Sequence, residues 1–194
     1  MIKKYTVLVT NWLISCNAIS EEDRELYEYA IYSILITISP LFLATLVGIL
    51  LGAVLQSILI ILPFFLIRKF SGGYHAKKAG ICLIYSSMLL ILCIFLSSWV
   101  KCNILLLFLT ALSAMSLLHF SPIENENRLL SREERICFKK VTTIIVTSII
   151  IAELLLLWFS MYTFVVCISI GLILSASLQY PCIIGKMWNK IDQK

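Results

Sequence analysis

The sequence predicts an all-α, polytopic integral membrane protein with six transmembrane helices, an N-terminal amphipathic interfacial helix and both termini in the cytosol. Of its 194 residues, 60% are hydrophobic and only 14% are charged, and the mean hydropathy is +0.97. Soluble domains are about 45–50% apolar and about 25% charged. The apolar residues also stand in long blocks, and the cations between these blocks are unevenly distributed. A chain of this length predicts one membrane-embedded domain, residues 1–194.

The amphipathic helix is predicted for residues 1–19. Apolar residues recur there at spacings of three and four, namely Ile2, Tyr5, Val9, Trp12, Cys16 and Ile19. One apolar stripe with a tryptophan and flanking lysines is typical of a helix that lies in the membrane interface. Ser20 is followed by three acidic residues, which predicts a capping box at the start of the next helix.

Six apolar blocks have the length that a transmembrane helix needs, about 17–25 residues. The uncharged run 30–67 is long enough for two spans, and Gly48, Gly52, Gln56 and Ser57 predict a turn in its middle. The other four spans are predicted at residues 81–99, 104–120, 141–159 and 162–180.

The lysines and arginines predict the topology because they favour the cytosolic side of a membrane. With six spans, fifteen of the sixteen cations share one side, and Lys101 alone lies on the other. Residues 68–80 and 121–140 are therefore predicted to be cytosolic loops, together with both termini. A five-span arrangement would destroy this asymmetry.

Several kinds of membrane enzyme are disfavoured by the residues present. The chain has no HExxH or GxSxG motif, and its two histidines are 44 residues apart. Its seven cysteines form no CxxC pair, which argues for reduced thiols. Because no metal-ligand spacing and no basic helix interleaved with aromatic residues is evident, we expect no metal, no cofactor and no nucleic-acid partner.

Chemistry based on a cysteine and a histidine is predicted in the segment RKFSGGYHAKKAGIC, residues 68–82. Cys82 falls in the first turn of a predicted helix, where the helix dipole and the neighbouring cations favour a thiolate. His75 is suited to accept the thiol proton and return it to a leaving amine. A straight helix would hold the two residues about 10 Å apart. The predicted dyad therefore requires Gly72, Gly73 and Gly80 to bend the chain.

The same segment also has a simpler interpretation. A basic, glycine-containing loop between two spans can serve only to orient the protein, with its histidine solvated. If Cys82 is not the nucleophile, Cys137 is the next candidate because Lys139 and Lys140 follow it closely. Glu28 is a candidate to orient His75.

Four other polar residues lie in or beside the spans. Glu153 is the only charged residue inside one. Such an acid is either functional or, as we favour here, a protonated side chain hydrogen-bonded to a neighbouring helix. His119 is predicted to be an interfacial residue rather than a ligand. Gln179 and Tyr180 are predicted to anchor the last span at the interface.

At the proposed dyad the sequence resembles the accessory gene regulator B (AgrB) family of membrane cysteine endopeptidases. The matching residues are Arg68-Lys69, Gly73-Tyr74-His75-Ala76 and Cys82. The stretch SPIENENRLL, residues 121–130, is similar to the proline-led basic loop of that family. The amphipathic start, the length and the hydropathy are similar over nearly the whole chain.

The resemblance implies a function in quorum sensing in a Gram-positive bacterium. Such proteins cleave the C-terminal part of an AgrD-like autoinducing-peptide precursor through an acyl-enzyme thioester, and the peptide then closes to a thiolactone or lactone. It implies that Cys82 is the nucleophile, that His75 is the base and acid, and that Arg68, Lys69 and Gly73 support the site. It also implies a homodimer in the lipid bilayer. The cations implied to bind the acidic part of the precursor are Arg128, Arg132, Arg135, Lys139 and Lys140.

Two other classes of protein fit the same predicted topology. One is a small membrane transporter or peptide exporter without proteolytic chemistry. Because such a protein needs polar residues along its spans, the single intramembrane charge at Glu153 counts against it. The other is a non-enzymatic membrane scaffold, which fits only if the segment 68–82 is a simple orienting loop.

Overall fold

A computed structural model of the chain describes residues 2–72, 79–123 and 131–184. These residues form seven α-helices and one short 3-10 helix, Glu21–Asp23. The all-α prediction is confirmed for this part of the chain, where strand-like pairing is limited to an isolated parallel bridge between Gly72 and Ile123. The α-helices are α1 (Ile2–Ser15), α2 (Arg24–Leu50), α3 (Val54–Ser71), α4 (Ala79–Trp99), α5 (Ile104–Phe120), α6 (Arg132–Trp158) and α7 (Tyr162–Ser177).

Three of the described helices are long and apolar enough to cross a membrane: α3, α6, and α7 together with its continuation to Ile184. Shorter apolar stretches lie where the other spans are predicted, at Leu41–Leu50 in α2, Ser87–Trp99 in α4 and Ile104–Phe120 in α5. The helices support a membrane protein, and the count of six spans stays a prediction.

Helix α1 packs against α2. The residues buried along α1 are Thr6 and Thr10, and the Thr10 hydroxyl donates a hydrogen bond to the Thr6 carbonyl at 3.0 Å. The apolar side chains Tyr5, Leu8 and Trp12 are instead exposed. The polar threonines therefore line the contact side of α1, and much of the predicted apolar stripe remains available for a lipid surface.

Arg24, at the start of α2, holds α1 in place. Its Nη1 donates to Asn11 Oδ1 at 2.7 Å, and its Nε donates to Glu21 Oε1 at 2.7 Å. Glu28 Oε1 lies 3.7 Å from the same guanidinium. The hydrogen bond with Glu21, reinforced by both acids, raises the pKa of Arg24 above its ordinary value.

The predicted capping box at Ser20 is wrong, and a capping box forms elsewhere. Ser20 Oγ donates to Asp23 Oδ2 at 2.8 Å and makes no cap hydrogen bond to the backbone. At the start of α6, Ser131 Oγ accepts from the Glu134 N–H at 3.1 Å, and Glu134 Oε2 accepts from the Ser131 N–H at 3.0 Å.

The turn between α2 and α3 is shorter than the sequence suggested. It comprises residues 51–53, with Gly52 at a positive φ of 62°. Gly48, Gln56 and Ser57, which were predicted to mark the turn, lie within the two helices instead.

Helix α7 lies at the centre of the bundle and packs against α3, α4, α5 and α6. Its contact with α3 is the most extensive, and a side chain at Gly171 would collide with the Ile60 carbonyl oxygen. A glycine is therefore required for this close crossing. The core contains two apolar clusters, and the one nearer the ends of α3, α5 and α7 comprises Ile67, Ala114, Leu117, Val146, Leu172 and Ala176.

Glu153 in α6 is buried against α7, where it accepts a hydrogen bond from the Ser169 hydroxyl. Ser169 is itself fully buried. The predicted hydrogen bond between this acid and a neighbouring helix is therefore confirmed. Only residues 159–161 connect α6 to α7, so the two helices run antiparallel, with Glu153 and Ser169 at the same level.

Candidate active site

Several helix ends meet at one end of the bundle, here called the loop end. Helices α3, α5 and α7 end there, and α6 begins there. The start of α4 lies at the same end, because α3 and α4 pack antiparallel. Ile61 of α3 and Cys93 of α4 belong to one core cluster, and Ile61 precedes Ser71 by about as many residues as Cys93 follows Cys82. Two of the described stretches of the chain stop at this end, one at Gly72 and the other at Ile123.

Cys82 lies in the first turn of α4, which begins at Ala79. This agrees with the predicted position at a helix N-terminus, where the dipole stabilises a negative charge. The Cys82 side chain, His75 and Gly73 lie outside the described residues. The distance between the predicted nucleophile and its base therefore stays a prediction.

Arg68 and Lys69, the predicted supporting cations, lie in the last turn of α3. The helix thus includes the first four residues of the predicted loop 68–80. Lys69 is exposed, and its Nζ lies 5.5 Å from the ring centroid of Phe70. The Phe70 ring meets the Phe138 ring of α6 edge to face, with centroids 5.8 Å apart.

The basic segment after residue 130 is helical. The first three turns of α6 carry Arg132, Arg135, Lys139 and Lys140, all exposed, while Arg128 lies outside the described residues. The contact between Phe138 and Phe70 brings these turns to the end of α3 that carries Arg68 and Lys69. An open cleft of about 520 Å³ runs along this face of α6, lined by Ile136, Lys139, Lys140, Thr143 and Ile144.

Gly72 ends α3 in a conformation that strongly favours glycine, with φ 71° and ψ −159°. A side chain there would also collide with the Ile123 carbonyl oxygen. The Ile123 N–H donates to the Ser71 carbonyl at 2.8 Å. The helix break predicted for the glycine segment therefore occurs at Gly72, whereas the prediction of a bend at Gly80 is wrong because Gly80 lies inside α4.

Gln179, just after α7, links the same two chain segments. It is completely buried, and its Nε2 lies 2.9 Å from Ser121 Oγ and 3.4 Å from the Ser71 carbonyl oxygen. The prediction that Gln179 anchors the chain at the membrane interface is therefore wrong, whereas Tyr180 is exposed. Sequence reasoning missed this junction because nothing in the spacing of residues 71, 121 and 179 pairs them.

The other candidate residues differ in their partners and in their exposure to solvent. Glu28 forms its described ion pair with Arg24, and its predicted contact with His75 lies outside the described residues. Cys137 is exposed in α6, whereas Cys93 and Cys167 are buried within helices. His119 is exposed at the end of α5, with its ring edge-on to Phe120.

Comparison with known proteins settles the family. The family model described as accessory gene regulator B matches residues 6–180, which includes all seven helices except the start of α1. The chain belongs to the AgrB family. Membership implies a role in the agr quorum-sensing system and an association with its AgrD precursor, and AgrB is known as a peptidase-like family.

A second comparison gives a more distant relative. A protein of Clostridium perfringens (strain SM101 / Type A), named for its likeness to AgrB, is 21% identical over 200 residues. The match covers 98% of this chain and 90% of that protein. No solved structure matches the chain significantly.

Proposed function

We propose that this AgrB-family protein is a membrane-embedded cysteine endopeptidase that cleaves an autoinducing-peptide precursor near its C-terminus. Cys82 is the nucleophile, and His75 is the general base and acid. The observation that carries the proposal is the position of Cys82 in the first turn of α4, at the bundle end that also bears the cations of α3 and α6. A helix N-terminus and nearby cations both favour a thiolate.

The proposed reaction has two steps. The Cys82 thiolate attacks the scissile carbonyl carbon, and backbone N–H groups at the start of α4 stabilise the oxyanion. His75 protonates the leaving amine, which yields a thioester between Cys82 and the precursor. An internal cysteine or serine of the peptide then attacks that thioester while His75 accepts its proton, and ring closure to a thiolactone or lactone releases the Cys82 thiolate.

The substrate is held by charge in this proposal. The exposed turns of α6 present Arg132, Arg135, Lys139 and Lys140 on the loop end. The open cleft on the surface of α6 lies beside two of these lysines and is lined mainly by apolar atoms, among them those of the exposed Ile136. Cations beside apolar side chains suit the acidic C-terminal part of the precursor, and Arg128 extends the set. Two protomers in the cell membrane, with the loop end in the cytosol, form the working unit.

The test measures precursor cleavage by membrane vesicles that contain Cys82→Ala, Cys82→Ser or His75→Ala. Each variant should insert normally but lose cleavage. Cys137→Ala is the matched control, because its thiol is exposed near the same basic end and should be dispensable. Mass spectrometry should also detect a precursor fragment on Cys82 when the internal nucleophile of the peptide is replaced by alanine. Normal cleavage by Cys82→Ala, with or without export of the peptide, would overturn the proposal.

A further inference from the structure

We propose that Gln179 is a positioning residue that fixes the segment carrying His75 relative to the segment leading into the basic turns of α6. This inference rests on the proposed function for its catalytic consequence. The junction itself rests on described residues alone. The hydrogen bonds that the structure describes for the Gln179 side chain are to Ser71 and Ser121, so Gln179 acts through these two residues.

The orientation of the Gln179 amide follows from its partners. The Ser71 carbonyl oxygen can only accept hydrogen bonds, so the NH₂ group of Gln179 must face it. The same Nε2 donates to Ser121 Oγ, and the Ser71 carbonyl also accepts from the Ile123 N–H. One side chain thus joins the last residue of α3 to the residue that follows α5.

The location of this junction determines what it can control. Residues 73–78, which include His75, begin directly after Gly72, and residues 124–130, which include Arg128, begin directly after Ile123. The bridge between Gly72 and Ile123 and the hydrogen bonds of Gln179 therefore hold both segments at their starting points. Residues 79–82 and 131–140 anchor the far ends of the same segments in helices.

The junction belongs to a buried polar layer. Ser71, Ser121 and Thr142 each lie one helical turn beyond Ile67, Leu117 and Val146 of the apolar cluster. The register that pairs Glu153 with Ser169 sets Thr142 level with Tyr180, next to Gln179. All four polar residues, Ser71, Ser121, Thr142 and Gln179, are buried.

Some buried polar atoms of this layer make no hydrogen bond to another described residue. Within the part of the chain that the structure describes, Gln179 Oε1 and Thr142 Oγ1 are buried without a hydrogen-bond partner. A buried acceptor without a donor is destabilising. The two hydrogen bonds that the Gln179 amide donates to Ser71 and Ser121 offset this cost at the junction.

The first test measures the geometry directly and needs no catalysis. Spin labels at Lys77→Cys and Arg128→Cys, in a full-length chain whose native cysteines are replaced, report the distance between the two segments by pulsed electron paramagnetic resonance. Gln179→Leu should broaden this distance distribution. Ser175→Ala is the matched control, because Ser175 is equally buried one turn earlier, and its hydroxyl bonds only to the Gly171 carbonyl within α7 at 2.8 Å.

Two further variants keep the test decisive if Gln179→Leu fails to fold. Ser121→Ala removes one partner and should broaden the distribution less. In Gln179→Glu, an ionised carboxylate cannot donate to Ser71, but a protonated carboxyl can. Burial raises the pKa of a carboxyl, so the distribution should be broad at alkaline pH, where the group is ionised, and should narrow as the pH falls through that pKa. Distributions unchanged in all three variants would overturn the inference.

The second test links the geometry to the reaction. With otherwise native protein and saturating precursor, Gln179→Leu should lower kcat by about 100-fold, the order expected for a misplacement of about 1 Å, while KM changes little. If Cys82 proves dispensable but the distances broaden, the proposed function fails and the junction stands. If Cys82 is essential but distances and kcat are unchanged in Gln179→Leu, the inference about Gln179 fails alone.

Discussion

Phe70, in the last turn of α3, packs edge to face against Phe138, in the second turn of α6, with ring centroids 5.8 Å apart. This contact joins two helix ends that both carry cations. Lys69 stands beside Phe70, and Lys139 follows Phe138. Because like charges repel, the ring contact and the shared burial of Ile67 and Val146 together hold the two basic ends beside each other.

Replacing either ring by leucine should loosen α6 at its start. An edge-to-face pair contributes about 0.5–1.5 kcal/mol beyond burial, so Phe70→Leu and Phe138→Leu should be coupled by that amount in a double-mutant cycle. The measurement is unfolding in detergent followed by circular dichroism. Phe120→Leu is the control, since Phe120 meets the exposed His119 ring edge to face and should act independently of Phe70. Strictly additive effects of the two leucines would contradict the contact.

Gly72→Ala should damage the loop end far more than the equivalent change at Gly52. Both glycines have positive φ, but a side chain at Gly52 meets open space whereas one at Gly72 meets the Ile123 carbonyl. Backbone strain alone costs of order 1–3 kcal/mol, so both variants should lower the unfolding temperature. Only Gly72→Ala should also lose precursor cleavage in its folded fraction. Equal loss of cleavage in both variants would show that the Ile123 contact is unimportant.

The sequence allowed the helices and the position of Cys82 to be predicted, because these depend on local composition and spacing, whereas the sidedness of the cations and the role of Cys82 stay predictions. Cys82 could be placed at a helix start since the glycine-rich segment before it and the apolar block after it define that start. Gly72 could be identified as a bend because glycine is the residue that tolerates its conformation.

The junction at Gln179 could not be predicted because it depends on how three helices pack. A glutamine at the end of an apolar block is typical of an interface anchor, and only the crossing of α7 with α3 and α5 buries it. The error at Ser20 has a local cause. The Ser20 hydroxyl donates to the Asp23 carboxylate instead of accepting from a backbone N–H, and α2 begins only after a 3-10 turn.

Charge reversal on α6 should weaken precursor binding specifically. Lys139→Glu combined with Lys140→Glu removes two exposed cations that flank the α6 cleft. Exposed ion pairs contribute about 0.2–1 kcal/mol each, so KM should rise by roughly three- to thirtyfold while kcat changes little. Raising the salt concentration should raise the KM of the native protein and so reduce the difference in KM between the native protein and the double variant. The control is Lys101→Glu, which lies between α4 and α5 at the other end of the bundle. An unchanged KM in the double variant would remove α6 from the proposed substrate site.

Labelling of single cysteines should place the two ends of the bundle on opposite sides of the membrane. In a chain with all native cysteines replaced, cysteine is restored at position 16 or 137, or introduced as Lys101→Cys. Cys16, Cys137 and Lys101 are all exposed in the structure, so each engineered thiol is accessible once the reagent reaches its side. Lys101→Cys is preferable to the native Cys102, because burial raises the pKa of the Cys102 thiol and less of the reactive thiolate is present at neutral pH.

In intact cells a membrane-impermeant maleimide should label position 101 and spare positions 16 and 137, which should react only after permeabilisation. Labelling of position 137 in intact cells would place the basic loop end outside and contradict both the charge-based topology and a cytosolic site at Cys82.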